Sequence, residues 1–211
     1  NRVLKMMNRN YTREQYLEKV DKLRKHCPDI AITSDIIVGF PGETISDFEE
    51  TLDLIKRIEY DSLFAFKYSD RPNVSATGFA DKIPEADKKE RLQKILELQD
   101  HYTVKKNRSF LGSLELLLVE GLSKKHSSGM RQPVSILKDV RCREVQWTGR
   151  TSTNKIVNFI WESDAYYCNN SLTGKMVEVR IEKAFSHSLW GKVNKIKIEP
   201  LGLKGEESYA A

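Results

Sequence analysis

The stretch "IAITSDIIVGF", Ile30 to Phe40, decides how the first part of the chain folds. It is a nearly unbroken apolar run rich in β-branched residues, which is typical of a strand covered on both faces in a parallel sheet. Pro41-Gly42 follows directly and ends the strand in a turn. The stretch therefore predicts a buried parallel strand, which needs helices to cover it.

Helical patterns flank this strand on both sides. Upstream, Thr12 and Gln15 have capping-box spacing and open a helix that Pro28 ends. Downstream, Ser46 and Glu49 offer a second capping box, for a helix that ends near residue 60. Alternation of helix and strand with short connections predicts a parallel α/β sheet or barrel.

A second strand and a long helix complete residues 1–109. The segment "SLFAFKYS", residues 62–69, predicts the strand. Two parallel strands alone leave exposed edges and an uncovered apolar face, so we expect residues 1–83 to be the last portion of a larger α/β barrel whose opening half is absent from this sequence. An amphipathic helix from about Glu85 to Arg108 follows, with a stripe formed by Leu92, Ile95, Leu96, Gln99 and Tyr102.

After Phe110 the hydrophobic period changes from helical to two. Six short strand candidates separated by Gly, Ser, Asn or Asp predict a small antiparallel, OB-like β-barrel over residues 110–201, with 202–211 as a tail. Between Lys175 and Lys183 the predicted inward residues are Val177, Val179 and Ile181. Small barrels of this kind often bind oligonucleotides. The six candidates read "SLELLLVEG", "RQPVSIL", "RCREVQW", "NKIVNFIW", "KMVEVRIEKA" and "WGKVNKIKIE".

The charge of the chain is unevenly placed. The 211 residues carry a net charge of +5, and the excess of Lys and Arg lies in residues 110–201. A local positive field favours nucleic acid as a partner, because phosphate contacts supply most non-specific affinity. No apolar run approaches the roughly 18 residues that span a bilayer, and the basic start "NRVLKMMNRN" is unlike a signal peptide. We therefore expect a cytoplasmic protein without a membrane partner; the sequence does not indicate an oligomeric state.

The three cysteines do not form a recognisable site. Cys27, Cys142 and Cys168 are odd in number and widely separated. This spacing argues against both a disulfide framework and a zinc knuckle. We interpret the three thiols as chemically inert.

Six motifs in order resemble one family. They are "NRVLKMMNRNYT", "TSDIIVGFPGETISDFEETL", "FAFKYSDRP", "LLVEGLSKK", "GRTSTNKIVNF" and "AFSHSLWGKV". Together they resemble the C-terminal half of the radical-SAM tRNA methylthiotransferases of the MiaB type, over about residues 1–200. The resemblance implies the end of a partial (β/α)6 radical-SAM barrel, followed by a TRAM domain, an OB-like barrel that holds RNA.

The resemblance also implies an activity, cofactors and a partner. Family members methylthiolate C2 of an isopentenyl-modified adenosine beside the tRNA anticodon, using S-adenosylmethionine and two 4Fe–4S clusters. The implied partner is therefore tRNA, through its anticodon stem-loop. The cluster motif C-x3-C-x2-C does not occur in this sequence, and scattered thiolates cannot hold such a cluster. We expect the parent enzyme to carry both clusters upstream and this fragment to be inactive alone.

Five residues match positions that face S-adenosylmethionine in related radical enzymes. A guanidinium suits the carboxylate of that cofactor, a glycine lets its adenine approach the backbone, and barrel sites form at the carboxyl ends of strands. The same residues also fit a solvated arginine, a strand ending in a glycine turn and plain core aromatics. The five residues are Arg9, Ile37, Gly39, Phe66 and Tyr68.

Seven residues in the TRAM-like part are candidates for RNA contact. Lys and Arg would neutralise phosphates, Trp190 would stack on an unpaired base, and His187 or Asn158 would donate hydrogen bonds. The alternatives are a tryptophan that closes the barrel core, a turn histidine and solvated lysines. The seven are Lys124, Lys125, Arg150, Asn158, His187, Trp190 and Lys192.

Two departures from the family pattern leave the substrate open. Arg71-Pro72 resembles the tRNA-modifying members, but Asn73-Val74 replaces the Gly-Thr that follows there, and residues 126–147 are longer than the usual loop. The alternatives within the enzyme class are methylthiolation of threonylcarbamoyl-adenosine or of a ribosomal protein. The alternative of another class is a non-catalytic RNA-binding module.

Overall fold

The computed structural model describes residues 1–123, 145–161 and 172–197. The chain divides into two compact units, Asn1–Lys106 and a second that begins at Asn107. This division lies three residues before the boundary that the sequence suggests. The predicted strand "RQPVSIL" lies outside the described residues.

The first unit combines helices with a two-stranded sheet. Its strands are β1, Thr33–Val38, and β2, Ser62–Lys67. A short 3-10 helix, Ser75–Gly78, lies in the loop after β2. The α-helices are α1, Arg2–Met6; α2, Arg13–His26; α3, Ile45–Ile58; and α4, Glu85–Ser109.

One of the two predicted capping boxes is confirmed, and the other forms at different residues. The Thr12 side chain accepts a hydrogen bond from the Gln15 N–H, and the Gln15 side chain accepts one from the Thr12 N–H, which confirms the first box. The second box is formed by Thr44 and Asp47 rather than by Ser46 and Glu49. The prediction was wrong here because Thr44 is the last extended residue, so α3 begins two residues earlier than expected.

The strands β1 and β2 are parallel, as predicted, and run in register from Thr33 opposite Ser62 to Val38 opposite Lys67. One face of this sheet packs into the helical core, where Val38 is fully buried. The other face is open, since Ile37 is 39% exposed and Phe66 is 54% exposed. In the described residues the strand is therefore covered on one face only, where the helices pack. The open apolar face is the one that we expect from the sequence when the two strands stand alone.

Helix α4 covers the core of the first unit. Ile95 is fully buried, and the Gln99 side-chain amide donates to the Tyr60 carbonyl oxygen at 3.0 Å. Leu96 is exposed, so the predicted stripe is one residue too wide. Burial, followed by a hydrogen bond with Tyr16, raises the pKa of Tyr60, whose phenol is therefore a structural group.

The second unit contains a closed five-stranded barrel in the order β3-β4-β5-β7-β6. Four of the five strand pairs are antiparallel, but β5 and β7 run parallel. The prediction of an antiparallel barrel was wrong for this one pair, because β6 lies beside β3 and β7 closes the gap to β5. The strands are β3, Leu114–Leu122; β4, Val145–Arg150; β5, Ile156–Trp161; β6, Met176–Ala184; and β7, Leu189–Lys197.

Alternation along β6 holds only as far as Ile181. Val177, Val179 and Ile181 are buried, as predicted. A β-bulge between Ile181 and Lys183 then shifts the phase by one residue, so that Ala184 packs against the core and Lys183 is exposed. Bulges of this kind re-aim side chains at barrel rims.

We predict that Gly191→Ala destabilises the barrel by about 1–3 kcal/mol, the usual effect of overpacking. An added Cβ would overlap Val179 Cγ1 and lie 2.5 Å from the Arg180 carbonyl oxygen. Urea unfolding followed by tryptophan fluorescence measures this, because all three tryptophans lie beyond residue 110.

The matched control is Gly78→Ala, where nothing lies within 4 Å of the added atom. We expect it to leave the tryptophan transition unchanged. An unchanged midpoint for Gly191→Ala would contradict the close approach of β6 and β7.

Candidate functional site

The carboxyl ends of β1 and β2 lie side by side and form an open apolar edge. Ile37 and Phe66 are partners in the strand register and lie on the exposed face of the sheet. Just beyond them, the Tyr68 N–H donates to the Val38 carbonyl oxygen at 2.8 Å. Barrel enzymes build their sites at this end of parallel strands. The structure therefore brings two of the predicted cofactor residues together on an accessible surface.

Gly39 turns the backbone away immediately after β1. Its φ of +70° lies in the left-handed region, which a glycine adopts without strain. A Cβ at this position would overlap the Lys88 side chain, so there is no room for one. The Gly39 N–H donates to the Glu43 carboxylate. The turn is thus fixed by a specific acceptor as well as by its backbone geometry.

A buried ion pair holds the acceptor of this turn. Arg91 Nη1 lies 2.7 Å from Glu43 Oε2, and the two side chains are only 12% and 4% exposed. The same Arg91 nitrogen donates to the Glu43 carbonyl oxygen at 3.1 Å, and its guanidinium lies over the Phe48 ring. Since Arg91 belongs to α4, the pair ties this helix to the carboxyl end of β1.

Tyr68 is engaged in a local network just beyond the carboxyl end of β2. Its hydroxyl donates to Asp70 Oδ1 at 2.9 Å, and its ring packs edge-on against Phe40. Lys82 Nζ lies 5.4 Å from the ring centroid and also pairs with Asp70. Desolvation, followed by the hydrogen bond with Asp70, raises the pKa of Tyr68. Tyr68 therefore braces the loop after β2.

Arg9 lies in the turn after α1. Its N–H donates to the Leu4 carbonyl oxygen at 2.9 Å, and its side chain is exposed. Helix α1 itself is anchored near β1, because Arg2 donates to the Gly42 carbonyl oxygen at 2.6 Å and pairs with Asp47. The Arg9 guanidinium forms no hydrogen bond or ion pair with any residue in the ranges described, so its fork is available.

On the barrel, three predicted RNA residues lie on one outer face. Asn158 of β5 is the register partner of Trp190 of β7, and Lys192 follows two residues later opposite Ile160. On its other side, Trp190 is paired with Lys183 of β6. We call Asn158, Trp190 and Lys192 the strand patch. It combines an aromatic ring, an amide and an ammonium group on neighbouring strands.

Trp190 points outward, which excludes the alternative of a core residue. It is half-buried, whereas its neighbours Leu189 and Gly191 are fully enclosed. The buried core at this point is supplied by Leu189, and Gly191 allows the close approach of β6. The indole therefore lies beside the barrel wall with part of its surface open.

His187 lies in the four-residue turn between β6 and β7. The turn is closed by a hydrogen bond from the Phe185 N–H to the Ser188 carbonyl oxygen at 2.8 Å. The buried Asn107 amide donates to the carbonyl oxygens of Phe185, at 2.8 Å, and Ser186, at 3.2 Å. His187 is exposed at the tip of this braced turn.

The Arg150 guanidinium forms hydrogen bonds within the barrel. Its Nε donates to Glu120 Oε1 at 2.8 Å, and its Nη1 donates to Asn154 Oδ1 at 2.9 Å. These bonds tie the β4–β5 turn to β3, which leaves less of the guanidinium for RNA. The other two predicted cations, Lys124 and Lys125, lie outside the described residues.

Sequence reasoning missed two exposed residues beside the strand patch. Lys183 and Phe185 face outward because of the bulge in β6, and no period-two pattern contains that phase shift. The available signal was Phe185 itself, an aromatic residue in a polar turn. Glu43 and Arg91 were also missed, since their pairing depends on residues 48 positions apart.

No metal site emerges within residues 1–123, 145–161 and 172–197, where no group of three His, Cys, Asp or Glu side chains could hold an ion. Cys27 is exposed at the end of α2, while Cys142 and Cys168 lie outside these ranges. The residues described do not fit an iron–sulfur cluster. None of the helices in the same ranges has the length and apolar character that crossing a membrane requires.

Comparison with known proteins gives one family match and several relatives that share one enzyme name. Residues 1–55 match the family model described as the radical SAM superfamily. The tRNA-2-methylthio-N(6)-dimethylallyladenosine synthase of Desulfosudis oleivorans is 49% identical over 208 residues, which cover 99% of this chain and 42% of the relative. The protein of the same name from Syntrophus aciditrophicus is 46% identical, over 91% of this chain and 36% of the relative. The one from Clostridium botulinum strain Okra is 43% identical, over 90% of this chain and 37% of the relative. The chain thus spans less than half the length of these curated relatives.

We predict that Arg91→Met destabilises the first unit by about 3 kcal/mol, because it leaves the buried Glu43 carboxylate without its cation. Urea unfolding followed by the helical circular dichroism signal measures the change. The double variant Glu43→Gln with Arg91→Met should recover part of the loss, since the uncompensated charge is then gone.

The control is Lys94→Met on the same helix. Lys94 pairs with Glu90, but both side chains are more than half exposed, so we expect a change within about 0.5 kcal/mol. Equal losses for Arg91→Met and Lys94→Met would refute the role assigned to the buried pair.

Proposed function

Because the chain belongs to the radical-SAM tRNA methylthiotransferase family, we propose that it is the part of such an enzyme that closes the cofactor barrel and holds the tRNA. The proposed reaction of the whole enzyme is methylthiolation of C2 in an isopentenyl-modified adenosine next to the anticodon. The observation that carries this proposal is the 49% identity over 99% of the chain, which includes both the open strand edge and the β-barrel.

The two units suit the two halves of this task. In the first, a parallel strand pair with one covered face and one open face is what the end of a partial (β/α)6 barrel would present. In the second, a small closed barrel with a basic and aromatic outer face suits a TRAM domain, which resembles an OB-fold. We assign the units these roles on that basis.

The open strand edge fits S-adenosylmethionine. Ile37 and Phe66 offer apolar surface for the adenine. Gly39 is buried against Lys88, so its contribution is the tight turn that ends β1 beside this surface. The guanidinium of Arg9, which has no partner among the described residues, suits the carboxylate of the cofactor through a two-pronged hydrogen bond. Tyr68 stabilises this edge, because its N–H donates to the Val38 carbonyl oxygen at the end of β1. When bound, S-adenosylmethionine supplies the radical initiator and the methyl group of the reaction.

The iron–sulfur clusters belong elsewhere in the enzyme. With cysteines only at 27, 142 and 168, this chain has no C-x3-C-x2-C run, and closely placed Cys thiolates are what hold a 4Fe–4S cluster. We place both clusters in residues that this chain does not span, and we expect the chain alone to bind RNA without catalysis.

The strand patch is the proposed RNA-contact surface. Trp190 would stack on an unpaired base, Asn158 would donate to a base or sugar, and Lys192 would neutralise a phosphate. His187 would add a donor at the tip of the neighbouring turn. The anticodon stem-loop supplies unpaired bases beside the modified adenosine, so we propose it as the partner. A protein that modifies tRNA would act in the cytoplasm.

We predict that a chimera restores tRNA methylthiolation when this chain replaces the matching 208 residues of the Desulfosudis oleivorans relative. In that chimera, Arg9→Ala should weaken S-adenosylmethionine binding about 10-fold or more, because a hydrogen bond to a charged group contributes roughly 1.5–3 kcal/mol. Mass spectrometry of digested tRNA measures the modification, and equilibrium dialysis measures cofactor binding.

Arg9→Lys is the matched variant. It keeps the charge but not the fork, so binding should fall between that of Arg9 and that of Arg9→Ala. A folded chimera with intact clusters that leaves tRNA unmodified would refute the enzymatic proposal. Normal cofactor binding in Arg9→Ala would remove only Arg9 from the site.

We predict that the 211-residue chain binds an RNA anticodon stem-loop, and that Trp190→Ala and Lys192→Ala each weaken this binding. Loss of one stacking aromatic should cost about 1–3 kcal/mol. Loss of one phosphate contact should reduce the salt dependence by about one counterion. Fluorescence anisotropy at low and moderate salt measures both quantities.

Lys155→Ala serves as the control for Lys192→Ala, because Lys155 lies in the β4–β5 turn, outside the strand patch. It should change affinity less than Lys192→Ala. Unchanged affinity in both Trp190→Ala and Lys192→Ala would refute the strand patch as the RNA surface.

A further inference from the structure

The outer face of the β6–β7 hairpin continues beyond the strand patch. Lys183 is the register partner of Trp190, and Phe185 lies two residues further toward the turn. Both face outward, and Phe185 is 52% exposed. The bulge after Ile181 produces this arrangement, because uninterrupted alternation would have turned Lys183 inward and Ala184 outward.

The turn that presents Phe185 is held from both sides. Inside the turn, the Phe185 N–H donates to the Ser188 carbonyl oxygen at 2.8 Å. From the core side, the buried Asn107 amide donates to the Phe185 and Ser186 carbonyl oxygens. A large apolar ring is therefore held in water on a pre-ordered backbone, which lowers the entropic cost of binding a ligand there.

We propose that Phe185 is a second stacking platform for an unpaired RNA base, with Lys183 as the phosphate contact between Phe185 and Trp190. This inference rests on the proposed function of the barrel and extends it to residues outside the strand patch. Phe185 is diagonal to Trp190 across the hairpin, a spacing of roughly 7–8 Å. Two neighbouring unpaired nucleotides could each use one ring.

The charges around these rings favour RNA as the occupant. The ammonium groups of Lys183 and Lys192 have no ion-pair partner among residues 1–123, 145–161 and 172–197. Arg180, the register partner of Lys192, donates to the Gly112 carbonyl oxygen at 3.1 Å and adds a third cation. Glu182 is the acidic neighbour on this stretch of β6. A basic surface that carries two aromatic rings matches the combination used to hold single strands.

The test is a titration of the 211-residue chain with two labelled RNAs, a hairpin with an unpaired loop and a fully paired duplex. We expect Phe185→Ala to weaken hairpin binding at least about 5-fold, which corresponds to the lower limit of roughly 1 kcal/mol per stacked base. Duplex binding should stay within about 2-fold of the unsubstituted chain, because a duplex offers no free base face.

Further variants separate stacking from other effects. Phe185→Tyr should retain hairpin affinity, whereas Phe185→Leu should lose it, since leucine keeps the apolar bulk without the ring. Lys183→Ala should lower the salt dependence by about one counterion, and Phe185→Ala should leave it unchanged. Leu118→Ala, at an exposed apolar residue on the outer face of β3, is the matched control and should have no effect.

The outcomes distinguish this inference from the proposed function. If hairpin binding responds to Trp190→Ala but not to Phe185→Ala, the second platform is refuted and the RNA-binding barrel stands. If Phe185→Leu binds as tightly as Phe185→Tyr, stacking is refuted in favour of simple apolar contact. If the unsubstituted chain binds neither RNA, the proposed function of the barrel fails and this inference fails with it.

Discussion

The buried pair between Glu43 and Arg91 is the constraint on which the first unit depends. Glu43 accepts the Gly39 N–H and so fixes the turn that ends β1, while Arg91 neutralises the carboxylate from helix α4. An unpaired charge at this depth is costly, so turn and helix must form together. Lys88, one turn earlier on α4, donates to the Tyr68 carbonyl oxygen at 3.3 Å. One helix thereby aligns the ends of both parallel strands.

This alignment leaves an open apolar surface at the strand ends. Because the helices pack on one face of the sheet, Ile37 and Phe66 remain open at the end where parallel strands build their sites. Apolar side chains in water cost free energy unless something covers them. A flat apolar group such as an adenine ring, which we propose as the occupant, would cover this edge.

In the barrel, the packing of the core decides which side chains face outward. Gly191 leaves room for Val179 and for the Arg180 carbonyl oxygen of the neighbouring strand β6, and Ala184 packs against the core. The bulge that brings Ala184 inward turns Lys183 and Phe185 outward, next to Trp190. A packing requirement of the core thus gathers cations and aromatic rings on one outer face, where nucleic acid would use them.

The sequence by itself determined what depends on neighbours along the chain: the first capping box, helix α4 almost to the residue, the parallel strand pair and the inward residues of β6. It also named Asn158, Trp190 and Lys192 among seven candidates for RNA contact, although it could not tell a core tryptophan from a surface one. Tertiary structure alone decided which face of β1 is open, where α3 begins, which cations are engaged, as Arg150 is, and how β5 meets β7. The physical reason is that these features depend on partners distant in sequence. Glu43 needs Arg91, Gly191 needs Val179, and the phase of β6 is set by the core that it must fill.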